Sequence, residues 1–258
     1  MESPTLPGTL GTVLQVLTES LDPPSLDTAA SAALLQQVGA GLAPPTLRLF
    51  VPRRSVAFGR QDAVRPGYRQ AVAEVRDAGF SPVVRLAGGK AAVFHEGTLA
   101  FAWTMPDDRP RLAITTRFEA IAAIVADAFD RLGIDARIGE VPGEYCPGAY
   151  SVNARGARKL MGVGQRLVRG AAHLGGVVVV TRADLVNLPL IPAYRALGYE
   201  WDPGVTGAVD EESPVALADV RTALLEAFAR AGHDLVDGRM DDETLSRAAA
   251  LAGHHEIP

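Results

Sequence analysis

A single cysteine, Cys146, lies in the loop sequence Glu144-Tyr145-Cys146-Pro147-Gly148. A thiol in a polar Pro/Gly loop becomes a nucleophile when a nearby cation favours its thiolate. Lys159 could supply that charge across a hairpin. It opens the segment Lys159-Leu160-Met161-Gly162-Val163-Gly164-Gln165-Arg166, in which Gly162 and Gly164 fall on the face opposite Met161 and Val163. Glycine inside a strand often marks the close approach of a ligand. A third stretch, Val84 to His95, ends a strand on Arg85, turns through Ala87-Gly88-Gly89, and resumes as an apolar strand. Gly88 and Gly89 would let a ligand lie against backbone N–H groups. Taken singly, each feature has a plainer reading. These are a tight hairpin turn, an exposed lysine beside a bulge, and an inert small residue at Cys146.

Two other patterns fail. Gly88-Gly89-Lys90 ends like a phosphate-binding loop, but Val84 stands where its first glycine belongs and Ala91 where its magnesium-binding hydroxyl belongs. His95-Glu96 starts like a zinc-protease helix, but Leu99 replaces the second histidine.

The elements that must hold these residues follow from periodicity. Helices are predicted over Leu26–Val38, with Ser25 or Asp27 as cap, over Pro66–Gly79, over Arg117–Leu132, and over Val215–Ala231 with Ser213 as cap and Pro214 first. A short strand or helix is expected within residues 1–24, around the stretch 11–20. Strands are predicted at Thr46–Val51, Ser55–Phe58, Ser81–Leu86 and His173–Thr181. Hairpins are predicted for Ala91–His95 with Thr98–Met105, and for Tyr150–Asn153 with Leu160–Val168. Leu185–Leu188 and Ile191–Ala196 read as short separate pieces, and the polar tail 237–258 as one more helix. This irregular alternation implies an α+β fold with a mixed, mostly antiparallel sheet flanked by helices.

The 258 residues fit one domain, with a core of about 26–232. The net charge of −5 argues against non-specific polyanion binding. One cysteine excludes an intrachain disulfide and a cysteine-rich zinc site, and suits a reducing compartment. The N-terminal sequence does not read as a signal peptide, and no apolar run is long enough to span a bilayer. A cytoplasmic location is therefore expected, with no membrane or nucleic-acid partner.

As an ordered set, Arg85-x-x-Gly88-Gly89, the lone cysteine loop and Lys159-x-x-Gly162-x-x-Gln165-Arg166 resemble the biotin/lipoate protein ligase catalytic domain family. The likeness runs from about Thr46 to Pro192. It is strongest to the family's cysteine-dependent octanoyl- or lipoyl-protein transferases of the amidotransferase kind. The resemblance implies a fold like that of class II aminoacyl-tRNA and biotin synthetases, with a bent acyl tunnel. It implies Cys146 as nucleophile and thioester site, and Lys159 as the cation that orients the acyl carbonyl and stabilises charge on it. Arg85, Gly88, Gly89, Gly162, Gly164 and Gln165 would form the acyl site, with no metal. The acceptor would be a lysine of a lipoyl-domain or glycine-cleavage H-type carrier, the donor an octanoyl or lipoyl carrier, and no cofactor would be needed. Two departures from the ligase branch stand out: Lys90 replaces a third glycine, and Glu96 replaces the acid after His95. An ATP-dependent lipoate–protein ligase, needing ATP and magnesium, and a non-catalytic lipoyl- or biotinyl-binding protein are the alternatives. Two geometric expectations accompany this reading. Lys159 should be partly exposed to the pocket, and Gly88-Gly89 should face Gly162-Gly164 across an apolar slot.

Overall fold

A computed structural model of the chain describes residues 12–258. The strands are β1 Val13–Leu17, β2 Thr46–Phe50, β3 Ser55–Phe58, β4 Ser81–Val84, β5 Ala92–Phe94, β6 Thr98–Pro106, β7 Ala136–Ile138, β8 Val152–Ala154, β9 Arg158–Val168, β10 Ala171–Val179 and β11 Asp234–Asp237. The helices are α1 Pro24–Gly39, α2 Arg60–Ala63, α3 Tyr68–Asp77, α4 Ile114–Arg131, α5 Ala183–Leu197, α6 Leu217–Arg230 and α7 Asp242–Leu251.

Eight strands form a mixed, mostly antiparallel sheet in the order β11-β1-β2-β6-β10-β9-β8-β7, with β1 parallel to both its neighbours. A second sheet, β4-β3-β5, forms a smaller layer. Central β6 is buried from Thr98 to Met105, as expected for a strand whose two faces are both covered. Those two faces are unlike each other. On one, Phe101, Trp103, Met161 and Leu174 pack against Ile121, Val125 and Phe129 of α4 and Phe228 of α6. Each such side chain contributes ~1.5–3 kcal/mol by leaving water. On the other, register aligns Gly164, Gly175 and Ala102 in one row and Gly162, Val177 and Ala100 in the next. Small residues there leave room between the large sheet, α1 and the small sheet, and that room is the site.

The segment before α1 is a strand, one of the two expected forms, with residues 1–11 outside the described residues. Several elements differ from expectation. Helix α1 follows Pro23 without a side-chain cap, because Asp27 is spent on Arg48 and Ser25 lies inside the helix. β5 and β6 are not a hairpin: they flank the Glu96-Gly97 turn but belong to different sheets. The two short pieces after β10 are one helix, α5, despite Pro189 and Pro192. Proline costs a helix interior about 3 kcal/mol. Burial of Leu185, Val186, Leu190, Tyr194 and Leu197 against the small-sheet core outweighs that preference. Helix α6 begins at Leu217 after Ala216, not at Pro214, and the backbone N–H of Ala216 donates to Asp219. The polar tail holds the one further helix expected there, α7. Asp241 caps α7 by accepting from the Thr244 N–H, and Met240 and Ala248 pack on Ala29, Ala30 and Ala33 of α1.

Candidate active site

The Cys146 loop is built on a buried carboxylate. Glu144 is 3% exposed and accepts from the N–H of Val141 (3.0 Å) and Gly148 (3.1 Å), the Ser151 hydroxyl (2.7 Å) and Lys159 Nζ (2.9 Å). Lys159 is 1% exposed. Its ammonium also donates to the carbonyls of Tyr145 (2.9 Å) and Cys146 (3.0 Å), and lies 4.8 Å from the Tyr145 ring centre. The expectation of a partly exposed lysine is therefore corrected: all three donors are committed to the loop. A buried ion pair persists only when its remaining hydrogen bonds are made, as they are here.

A β-bulge brings Lys159 to that position. Along a regular strand Lys159 would share a face with Met161. The β8–β9 register instead pairs Val152 with Met161 and Asn153 with Lys159, leaving Leu160 as an extra residue. The bulge turns Lys159 onto the Gly162 face, where a Cβ on Gly162 would lie 3.2 Å from Lys159 Cε.

Cys146 itself has φ +42°, a left-handed conformation that side chains other than glycine, asparagine and aspartate seldom take. Neighbours on both sides hold it there. Its N–H donates to Tyr194 Oη (3.1 Å), whose hydroxyl donates to Ala91 O (2.8 Å), while Lys159 grips its carbonyl. Burial and the facing Cys146 push the Tyr194 phenol well above its ordinary pKa, so it stays protonated and serves as a fixed post.

The second wall is the turn after β4. Arg85 Nη1 donates to Lys90 O (2.6 Å) and lies 3.5 Å from Cys146 Sγ. Gly89 has φ +121°, and a Cβ there would sit 2.5 Å from Arg85 Nη1 and 2.9 Å from Sγ. Only glycine fits so close an approach in that conformation. A Cβ on Gly164 would lie 2.8 Å from Gly88 O, so these two glycines meet directly, in place of the apolar slot expected between them. Gly162 instead faces Lys159. Among the described residues no hydrogen bond uses the N–H of Gly88, Gly89 or Lys90. Lys90 packs its ammonium 4.4 Å over Tyr199, whose hydroxyl donates to Asp62 (2.9 Å). Asp62 also accepts from the Gly59 N–H, and a Cβ on Gly59 would collide with Gly89 O. Desolvation raises the Asp62 pKa, partly offset by those two hydrogen bonds.

Beside this wall a cavity of about 100 Å³ runs between the sheets. Arg85, Leu86 and Ala87 line its near end, Ala57, Val83 and Phe94 its roof, and Ala100, Ala102 and Gly175 its floor. Gln165 lies outside it, on the opposite sheet face. Its Oε1 accepts from Arg117 Nε (2.9 Å) and Nη2 (2.7 Å), and Nε2 donates to Ile114 O (3.2 Å). Gln165 thus anchors the start of α4. Met161 and Val163 share that face. His95 is buried, accepts from the Gly97 N–H (3.0 Å), and is held neutral with its pKa lowered to about 4 by desolvation. Among the described residues no group of three or more His, Cys, Asp or Glu side chains could hold a metal ion, and no helix is long and apolar enough to cross a membrane.

The sequence reading did not single out Glu144, Tyr194 or Asp62. The first had a signal in its place two residues before the cysteine. Tyr194 and Asp62 reach the site from distant segments, and local pattern carries no trace of that.

The family model of the lipoyl protein ligase A/B catalytic domain matches residues 23–229, and the chain belongs to that family. It is 32% identical over 166 residues to an octanoyl-GcvH:protein N-octanoyltransferase of Geobacillus kaustophilus. That match covers 64% of this chain and 58% of the relative, little more than half its length. It is 27% identical over 238 residues to a lipoyl-GcvH:protein N-lipoyltransferase of Listeria monocytogenes, covering 86% of this chain and 85% of that one. The fold is that of lipoate-protein ligase A, seen in a crystal structure bound with ATP: TM-score 0.78 at 20% identity, covering 93% of this chain and 94% of that one.

Proposed function

We propose that this protein transfers an octanoyl or lipoyl group, through a thioester on Cys146, to a lysine of a lipoyl-domain or glycine-cleavage H-type carrier. The observation that carries the reading is a half-buried thiol 3.5 Å from the guanidinium of Arg85, a residue that lines the neighbouring, mostly apolar cavity. Two relatives named for such transfers, in Geobacillus and Listeria, support it.

The Cys146 thiolate attacks the acyl carbonyl of the donor carrier. A C–S bond forms, the bond to the donor's nitrogen breaks, and the amine leaves with the proton the thiol gave up. The acceptor lysine's neutral amine then attacks the thioester, a C–N bond forms, the C–S bond breaks, and the proton lost by the amine restores the thiol. The free N–H groups of the Gly88–Lys90 turn, beside Sγ, would receive the negative charge on the carbonyl oxygen in each step. Arg85 sustains the thiolate by a charge-assisted contact. Lys159, its donors committed, holds the loop carbonyls and Glu144, and so is a positioning residue in place of the direct carbonyl ligand first expected. The route calls for no cofactor or metal, and a cytoplasmic setting suits its free thiol.

The test is intact mass spectrometry after mixing the protein with an octanoylated carrier. A hydroxylamine-labile acyl adduct that vanishes in Cys146→Ala supports the reading. An ATP-dependent ligase, the second reading favoured by the shared fold, would instead load octanoate onto the carrier in Cys146→Ala when ATP and magnesium are added. Tight acyl binding without transfer under either condition would leave a binding protein.

A further inference from the structure

The strand that delivers Arg85 is weak by itself. β4 has four residues, begins Ser81-Pro82, and buries only the side chain of Val83. Pro82 has no N–H to give a ladder. On the inner side β4 pairs with β3, and the Arg85 N–H donates to Phe58 O (3.0 Å). β4 is the last strand of the small sheet on its other side, where so few anchors would let it open easily. The segment 252–258 closes that side: Glu256 forms an antiparallel bridge with Val83. His255 holds both backbone groups of Val84. The Val84 N–H donates to His255 O (2.9 Å), and His255 Nδ1 donates to Val84 O (2.8 Å). A carbonyl only accepts, so the proton of the ring sits on Nδ1. Burial lowers the pKa of the ring, which stays neutral and brings no charge of its own. The segment is itself fixed, because Arg76 Nη2 donates to Ile257 O (2.7 Å) and Ile257 packs on the small-sheet core.

We infer that His255 is a positioning residue for the acyl transfer: through Val84 it sets where the Arg85 guanidinium stands beside the Cys146 thiol. This rests on the acyl-transfer reading above, in which Arg85 sustains the thiolate. The relay is short. Val84 directly precedes Arg85, whose Nη1 reaches Lys90 O at 2.6 Å and Cys146 Sγ at 3.5 Å. A charge-assisted contact depends on distance and direction, so a shift in the last residue of β4 weakens it at once. Among the described residues no hydrogen bond joins His255 to Cys146 or to the Gly88–Lys90 turn, so its influence on the thiol passes through β4.

The experiment alkylates Cys146, the chain's one cysteine, in the full-length protein with iodoacetate and with iodoacetamide, followed by intact mass. Both reagents meet the same thiolate, so the ratio of the anionic to the neutral rate reports the cation beside it. Arg85→Met sets the floor of that ratio. His255→Ala is expected to lower it about fivefold from wild type, the effect of losing ~1 kcal/mol of ionic contact. His255→Asn, whose amide can donate from the place of Nδ1, should keep most of it, and His255→Gln, whose amide reaches past that place, should not. The last two variants carry the test if His255→Ala does not fold, and thermal melting shows which proteins are folded. In the Arg85→Met background His255→Ala should lower the ratio no further. Carrier acylation should fall in step with the ratio. A ratio unchanged in His255→Ala, equal ratios in the Asn and Gln variants, or an equal drop where Arg85 is already absent overturns the inference and leaves His255 a structural clamp. If wild type acylates no carrier, the transfer reading fails by itself. The ratio still decides whether His255 places Arg85: a drop in His255→Ala supports it, and an unchanged ratio overturns it.

Discussion

The two walls around Sγ use their polar groups in opposite ways. On the Cys146 side the charged groups are committed: Glu144 accepts four hydrogen bonds, and Lys159 gives all three of its own, while the buried Tyr145 hydroxyl has no partner among the described residues. On the Gly88–Lys90 side three N–H groups are unused, and Asp62 and Tyr199 support the turn from behind. A nucleophile needs to be held, whereas the wall that meets developing charge needs unspent donors. On the proposed function, the difference divides the site into a half that positions and an open half that receives.

The largest expected effect removes the reacting atom. Cys146→Ala should lower acyl transfer at least ~1000-fold, since removal of a nucleophile leaves only binding and charge stabilisation. Its melting temperature should fall only slightly, because the thiol is half-buried and alanine keeps its Cβ. Rates of carrier acylation, read alongside a thermal melt, check both halves of the statement.

Next comes the committed wall. Lys159→Met would leave Glu144 buried without its cation, a loss of ~3–5 kcal/mol of folding stability. The double variant Glu144→Gln, Lys159→Met should recover part of that, because the stranded charge is gone. Urea unfolding midpoints of the three proteins measure it. A single variant as stable as wild type, with only its turnover lowered, would return Lys159 to the direct role on the acyl carbonyl and break the proposed division of labour.

The open wall should respond in activity before stability. Gly89→Ala places a Cβ into Arg85 Nη1 and Sγ at a φ of +121°. The turn must shift, and a displacement near 1 Å typically costs ~100-fold in rate, against only ~1 kcal/mol of stability. Rate and unfolding midpoint, measured on the same preparation, separate the two. Equal damage to both would mean that the turn is structural.

The contrast between the walls also explains what could be read from the sequence. The open wall is contiguous, and its chemistry lies in Arg85, Gly88 and Gly89 themselves, so a local motif reveals it. The ordered set of weak motifs also singled out Cys146, Lys159 and Gly164, which the fold brings to these two walls. The committed wall was legible only in part. Lys159 reaches its place through a bulge at Leu160 that strand parity cannot foresee, and Tyr194 enters from a helix that Pro189 and Pro192 disguise. Gln165 carried the motif, yet its amide serves Arg117 on the other sheet face, because alternation places it with Met161. β5 and β6 flank a turn that looks like a hairpin, and only the second sheet decides otherwise.

The smallest effect tests which wall acid weakens. The strand leaving the open wall runs directly into His95, which is buried and neutral with its pKa lowered to about 4. The unfolded chain binds a proton at that histidine below its ordinary pKa near 6.5, and the folded chain does not until about 4. Stability from this group is therefore complete above pH 6.5 and declines as pH falls toward 4, by ~2 kcal/mol at pH 5. His95→Gln, which keeps an acceptor for the Gly97 N–H, should flatten the decline between pH 7 and 5. His173 adds a decline of the same sign that this variant leaves in place. The committed wall holds no histidine, so amide exchange at pH 5 should quicken first along β5 and its turn, while the Lys159 strand stays protected. Faster exchange in β9 than in β5 would show that the committed wall is the weaker one.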